Sequence, residues 1–122
     1  MKKRILIVED EPHIRENYVK LFSKGENELF DVLEAADAVK ATNILIREKI
    51  DLVLLDIKIP EVNGQKIFEV IREYDPTLKV IVVSVYPEDK QKELIPGAHA
   101  YYDKSQSLMK LVERVIELLF LH

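Results

Sequence analysis

The sequence has no cysteine. That removes disulfides, thiolate catalysis and cysteine-based zinc sites from consideration. Glycine is scarce, with three in the chain, and no Ser/Thr/Gly-rich phosphate loop follows the first apolar run. Positive charge is not in excess: 18 Lys and Arg stand against 22 Asp and Glu, a net charge of -4 and a pI near 5.4. Such a balance argues against a nucleic-acid-binding surface. The apolar runs are short, and no charged n-region leads into an apolar segment of signal-peptide length near the amino terminus. Neither a transmembrane helix nor a signal peptide is expected, which fits a cytoplasmic chain. Internal repeats, low-complexity tracts and linkers are also missing.

What is present suffices for a core. The 122 residues are 48% hydrophobic and 33% charged, so a single folded domain, residues 1–122, is expected rather than disorder. The runs RILIV (Arg4 to Val8), LVLL (Leu52 to Leu55) and VIVV (Val80 to Val83) are continuous and rich in β-branched residues. Continuous apolarity suits strands buried on both faces, as in a parallel sheet. LFDVLEA (Leu29 to Ala35) and HAYYD (His99 to Asp103) read as weaker edge strands.

Helical patterns lie between them. The first begins at Pro12, with Ile14, Tyr18, Leu21 and Phe22 at helical spacing. The second runs from Ala38 to Lys49 with Ala41, Leu45 and Ile46 inward. The third runs from Gly64 to Tyr74 with Ile67, Val70, Ile71 and Tyr74 on one face, and DPT (Asp75 to Thr77) ends it. A short fourth, Glu88 to Ile95, stops at Pro96 and Gly97. The last, Ser107 to Phe120, is capped by Ser105 or Ser107 and turns Leu108, Leu111, Val112, Val115, Ile116 and Leu119 inward. Met109, Leu118 and Phe120 widen its stripe, which suits either an interface or a buried terminus. The alternation βαβαβαβαβα predicts an α/β doubly wound parallel sheet of five strands with five helices, in the order 2-1-3-4-5.

Ligands of such sheets bind beyond the carboxyl ends of the strands. Those ends carry Glu9, Asp10 and Glu11 after strand one, Asp56 after strand three, Ser84 after strand four and Lys104 after strand five. Adjacent strands lie roughly 4.8 Å apart, so these groups meet at one edge. Neighbouring carboxylates repel unless a cation sits between them. With no Cys or His beside them, a hard oxygen-preferring ion such as Mg²⁺ is the expected guest. A carboxylate can also be a nucleophile that forms an aspartyl-phosphate, with a lysine and a hydroxyl holding the phosphoryl oxygens.

Taken singly, each residue has a plainer reading. An acidic EDE after a strand is usually a solvated loop opening a helix, and an aspartate such as Asp56 more often caps a turn. Ser84 alone is an ordinary strand-end hydroxyl, and Lys104 a surface lysine. One of Tyr101 and Tyr102, alternating in a strand, packs the core whatever the function. His13, His99 and His122 carry no argued role. The joint occurrence of all these groups at one edge reverses the odds.

Four motifs in order, ILIVEDEP (Ile5 to Pro12), DLVLLDIKIPEVNG (Asp51 to Gly64), VIVVS (Val80 to Ser84) and GAHAYYDKS (Gly97 to Ser105), give the specific signal. End to end, the chain resembles the receiver domain of two-component response regulators, whose fold is flavodoxin-like. That resemblance implies a phosphoacceptor regulator rather than an enzyme, with slow self-dephosphorylation at most. Asp56 would be the phosphoacceptor. Asp10, Asp56 and the backbone carbonyl of Lys58 would ligate Mg²⁺, with Glu9 acting through water. Ser84 would be the switch hydroxyl, Lys104 the phosphate-binding lysine and Tyr101 the aromatic that changes rotamer. Gly64 would allow the turn after the site. The implied partners are a sensor histidine kinase or a histidine phosphotransfer protein, with a homodimer through the face of helix four, strand five and helix five. The chain reads as a stand-alone receiver or as one part of a longer regulator.

It departs from the family pattern in places. Ala100 stands where Gly is usual, Ser105 where Pro often follows the lysine, and Val85 where a small residue follows the hydroxyl. The stretch from Ser84 to Gly97 is about two residues shorter than typical, which shortens helix four and places the output surface in question. Three other classes compete. A receiver-like interaction module without phosphorylation is opposed by the complete residue set. A haloacid-dehalogenase-type phosphatase needs a second acid two residues after Asp56, where Lys58 stands. A flavin-binding flavodoxin needs the phosphate loop that the sequence lacks.

Overall fold

The computed structural model describes residues 2–23, 29–57 and 62–121. The elements are β1 (Lys3–Val8), α1 (Pro12–Ser23), β2 (Phe30–Ala35), α2 (Ala38–Arg47), β3 (Leu52–Asp56), α3 (Val62–Tyr74), β4 (Lys79–Ser84), α4 (Glu88–Leu94), β5 (Ala100–Asp103) and α5 (Leu108–Phe120). All strand pairs are parallel, in the order β2-β1-β3-β4-β5. The expected fold class and strand order are what the chain adopts.

The strands are apolar on both faces because each face has its own helices. Leu6, Val8, Val53, Leu55, Val80, Val82 and Tyr101 pack with α2, α3 and α4 through Ala41, Leu45, Phe68, Ile71 and the partly buried Leu94. The alternate residues Ile5, Ile7, Leu52, Leu54, Ile81, Val83 and Tyr102 pack with α1 and α5 through Tyr18, Phe22, Leu111, Val115 and Leu119. Period-two alternation thus sends successive side chains into two different cores.

Local chemistry fixes the helix starts. Pro12 opens α1, and the Glu11 carboxylate accepts the Ile14 N–H at 2.8 Å. Asp37 caps α2 by accepting from Lys40 N at 2.8 Å, and Ser107, not Ser105, caps α5. Gly97, at φ 95°, adopts the left-handed backbone that follows α4. His99 completes the β4–β5 edge: its Nδ1 accepts the Val80 N–H at 3.3 Å. Burial, with Arg72 and Lys79 nearby, pushes its pKa down.

Several expected faces are corrected. Ile46 is exposed and Ile44 takes the inner position on α2. On α3 the buried pair is Phe68 and Ile71, whereas Val70 and Tyr74 are exposed. Tyr74 instead donates its hydroxyl to the Leu45 carbonyl at 3.0 Å, joining α3 to α2. On α5, Leu108 is exposed, leaving Leu111, Val115 and Leu119 as the buried row. A tyrosine or valine can count as apolar in a helical pattern and still sit at the border, because the pattern does not show how wide the covered stripe is. Helix two ends at Arg47, two residues before the expected Lys49.

Gly64 is also corrected. It lies inside the first turn of α3 rather than in a turn before it. A Cβ there would meet the Ile57 Cγ2 at 2.5 Å and Cβ at 2.8 Å. Close approach of α3 to the end of β3 is what requires glycine at this position.

Candidate functional site

The carboxyl ends of β1, β3, β4 and β5 bring the acids, the hydroxyl and the lysine together. Glu9 follows β1, with its N–H on the Ala35 carbonyl at 3.0 Å and its carbonyl held by Arg15 Nη1 at 2.8 Å. Arg15 also pairs with Glu34 at 2.9 Å. Asp56 ends β3, and the next residue returns to the sheet through Ile57 N–H on the Val83 carbonyl at 2.9 Å. Lys104 Nζ lies 2.8 Å from Asp56 Oδ2, and the Asp56 side chain is 1% exposed.

The acids are crowded and dry. Glu9 is 1% exposed, and neither of its carboxyl oxygens has a hydrogen-bond partner. Asp56 Oδ1 has none, and Oδ2 has only the nearby Lys104 ammonium, at ion-pair distance but outside hydrogen-bond geometry. Burial, reinforced by the charge of Asp56, pushes Glu9 up to about 7. Burial likewise raises the Asp56 pKa against the lowering influence of Lys104. Positive charge placed between such anionic oxygens would oppose both effects.

The receiver resemblance now has a geometric counterpart. The sequence pattern of the response regulator receiver domain matches residues 5–116. The chain belongs to the response regulator receiver domain family. It is 35% identical over 108 residues to sporulation initiation phosphotransferase F of Bacillus subtilis, covering 85% of this chain and 83% of that protein. The response regulator TrrA of Thermotoga maritima, solved in complex with Mg²⁺-BeF, superposes with a TM-score of 0.81 at 31% identity, covering 96% of this chain and 99% of that one. Longer relatives match as well: the receiver is 36% identical to the response regulator GtcR of Aneurinibacillus migulanus and spans 47% of it.

The remaining expected site residues of this receiver fall as follows. Asp10 is exposed at the rim and contributes to raising the Glu9 pKa, which sets it beside the acids. Lys58, expected to supply a carbonyl ligand, lies outside the described residues. Among those described, no three acidic or histidine side chains already form a metal cage. Ser84 is fully buried; its Oγ accepts the Tyr86 N–H at 3.2 Å, and no hydrogen bond joins it to Asp56. Tyr101 is buried, with its hydroxyl on the Ile95 carbonyl at 2.5 Å and the Ala98 N–H on that hydroxyl at 3.2 Å.

The departures acquire physical content. The Ser105 N–H donates to Asp103 Oδ1 at 2.8 Å, a bond proline could not make, and Gln106 N–H closes the same turn on the Asp103 carbonyl. The loop carrying Lys104 is thus fastened by an Asx turn. Val85 is 71% exposed beside Ser84. A cleft of about 460 Å³ opens from Glu9 and Asp56 between α2 and α3, walled by Leu45, Ile67 and Ile71.

Two contributors went unnoticed in the sequence. Arg15 anchors the Glu9 backbone, and a basic residue one turn into the helix after an acidic loop was the available signal. Gln91, fully buried in α4, was hidden among charged neighbours.

Proposed function

We propose that this receiver is a phosphoacceptor switch in which Asp56 takes a phosphoryl group from a phosphohistidine. The observation that carries this reading is the buried Asp56 carboxylate, with one oxygen 2.8 Å from Lys104 Nζ and the other unpartnered. A capping aspartate would be expected to accept backbone N–H bonds, and this one accepts none.

The orphaned oxygens of Glu9 and Asp56 fit a Mg²⁺ site. Asp10 and Asp56, with the Lys58 carbonyl, would be its ligands and Glu9 would act through water. Bound Mg²⁺ supplies the positive charge that lets neighbouring carboxylates stay ionised and offsets the charge of incoming phosphoryl oxygens. Asp56 must be ionised to attack phosphorus. The P–N bond to the donor imidazole then breaks, and its electron pair returns to the ring nitrogen. Lys104 neutralises one phosphoryl oxygen, and the Ser84 hydroxyl donates to another after leaving Tyr86. Water attack on the acyl phosphate would reverse the modification slowly.

A sensor histidine kinase or a histidine phosphotransfer protein is the proposed donor. The surface of α4, β5 and α5, where Leu108 and Met109 are exposed, is the proposed output and self-association face. The test uses acetyl phosphate and Mg²⁺ as a small donor. One hydroxylamine-labile phosphate is expected on the wild type and none on Asp56→Asn, because the amide is not a comparable nucleophile. Equal labelling of both proteins by mass spectrometry would overturn the assignment, and labelling of neither would favour a phosphorylation-independent interaction module.

A further inference from the structure

The short α4, EDKQKEL, is charged at most positions, yet its glutamine is fully buried. Gln91 Nε2 donates to the Tyr86 carbonyl at 2.7 Å and to the Tyr102 carbonyl at 3.0 Å. Both partners are acceptors, so the nitrogen must face them. Gln91 Oε1 is buried without a partner.

These bonds close a circuit around the candidate phosphoryl ligands. Ser84 Oγ accepts from Tyr86 N, Tyr86 O accepts from Gln91, and Gln91 also holds Tyr102 on β5. On the return path, Lys104 N donates to the Ser84 carbonyl at 2.9 Å. The glutamine therefore ties the loop after Ser84 to β5, the strand that leads into Lys104.

We infer that Gln91 is a positioning residue: it sets the Ser84 loop against β5 and accepts the Tyr86 N–H when Ser84 turns toward a phosphoryl oxygen. This rests on the phosphoacceptor reading above. The physical need is specific. When Ser84 leaves, the part-buried Tyr86 N–H loses its acceptor, and a donor shielded from water and left without a partner is costly. Gln91 Oε1 is an unused buried acceptor on the amide already bonded to the same residue. A small rotation of that amide lets one orphan satisfy the other, and it moves α4 relative to the loop.

The experiment follows the side-chain amide of Gln91 by ¹⁵N NMR in full-length protein with Mg²⁺, before and after adding beryllofluoride as the phosphoryl mimic. Its resonances are assigned in the wild type through the bonds of the ¹³C,¹⁵N-labelled side chain, and the comparison variant is Gln91→Met, which keeps length and volume. Expected are a shift of the Gln91 NH₂ pair together with the Tyr86 amide. Beryllofluoride affinity should be about three- to tenfold weaker in Gln91→Met, a loss of about one hydrogen bond's differential. A bound adduct in the ¹⁹F spectrum with an unmoved Gln91 NH₂ pair overturns the inference alone. Unchanged affinity in a folded Gln91→Met does the same. The wild-type measurement decides the matter if that variant does not fold. No adduct in wild type, with no phosphate from acetyl phosphate, removes the phosphoacceptor reading itself and this inference with it.

Discussion

Lys104 Nζ reaches Asp56 Oδ2 at 2.8 Å although β4 lies between the strands that carry them. Two strand spacings, roughly 9–10 Å, must be spanned. A lysine's four-carbon stem on a fixed loop can do it; Ser84, ending the strand between, is small and buried. Under the proposed function, this contact would put the cation where charge develops on the phosphoryl group. Preorganisation of this kind favours the transition state because nothing must be moved into position.

The first prediction tests that contact. Lys104→Met retains the stem and removes the charge, leaving the Asp56 carboxyl without the group that opposes its raised pKa. Phosphorylation by acetyl phosphate at neutral pH should slow by at least about tenfold, in line with the loss of one electrostatic partner in a dry site. Time courses by intact-protein mass spectrometry would show it. A wild-type rate would mean that the pair is structural.

The second concerns Glu9. Its carboxyl ionises at about 7 in the fold, against 4.5 ordinarily. Below about pH 4.5 the group is protonated in both folded and unfolded chains and no penalty exists. Between there and about pH 7 the unfolded chain releases a proton that the folded one keeps. Stability of the metal-free protein therefore falls as pH rises through that window, by up to about 3 kcal/mol, and is level above it. Asp56, also raised, acts with the same sign. Thermal unfolding in EDTA should show a flatter pH dependence for Glu9→Gln and a higher midpoint at pH 7.5. Mg²⁺ should raise the wild-type midpoint at pH 7.5 more than that of the variant. Parallel curves for the two proteins would place the penalty elsewhere.

The architecture was legible because it rests on patterns that survive in one dimension. Continuous β-branched runs between amphipathic stretches leave few alternatives to a doubly wound parallel sheet. Asp56, Ser84 and Lys104 were legible for a related reason: the topology gathers strand ends, so residues at those ends become neighbours. Gln91 was not. A glutamine in a charged heptapeptide looks solvated until the helix is placed over β5, where two backbone carbonyls demand a donor. Ile46 and Val70 failed in the opposite direction, since hydrophobicity marks a helix without fixing the edge of its buried stripe. The role of Gly64 was likewise invisible, because close approach between two segments is a three-dimensional fact.

That role of Gly64 supports a third prediction. The Cβ of Gly64→Ala would sit 2.5 Å from Ile57 Cγ2, and Ile57 is itself buried. The start of α3 or the Ile57 side chain must shift, at about 1–3 kcal/mol. Because Ile57 adjoins Asp56, the strain should reach the site and slow phosphorylation as well as lower the unfolding midpoint. In an Ile57→Ala background, which removes the Cγ2 that the new Cβ meets, the added cost of Gly64→Ala should be smaller than in the wild type. A midpoint unchanged in Gly64→Ala would show that α3 is not held against β3 as described.

The last prediction concerns Tyr101. Family resemblance suggests an aromatic that moves inward on activation, yet here the ring is already buried, with Ile95 O and Ala98 N on its hydroxyl. Lys92 Nζ lies 6.0 Å from the ring centroid, on the α4 side. The hydroxyl thereby fastens the end of α4 to β5, while Gln91 fastens its middle. Tyr101→Phe would strand the Ile95 carbonyl and the Ala98 N–H, at about 1–3 kcal/mol. Amide exchange at Ala98 should speed up accordingly, and the unfolding midpoint should fall. With α4 held at two points, beryllofluoride should shift amides of β5 and α5 without rotating the Tyr101 ring, which ring-proton shifts and contacts to Ile95 would report. If those contacts vanish on adding the mimic, Tyr101 swings outward, and the clamp on α4 is released rather than retained in the activated state.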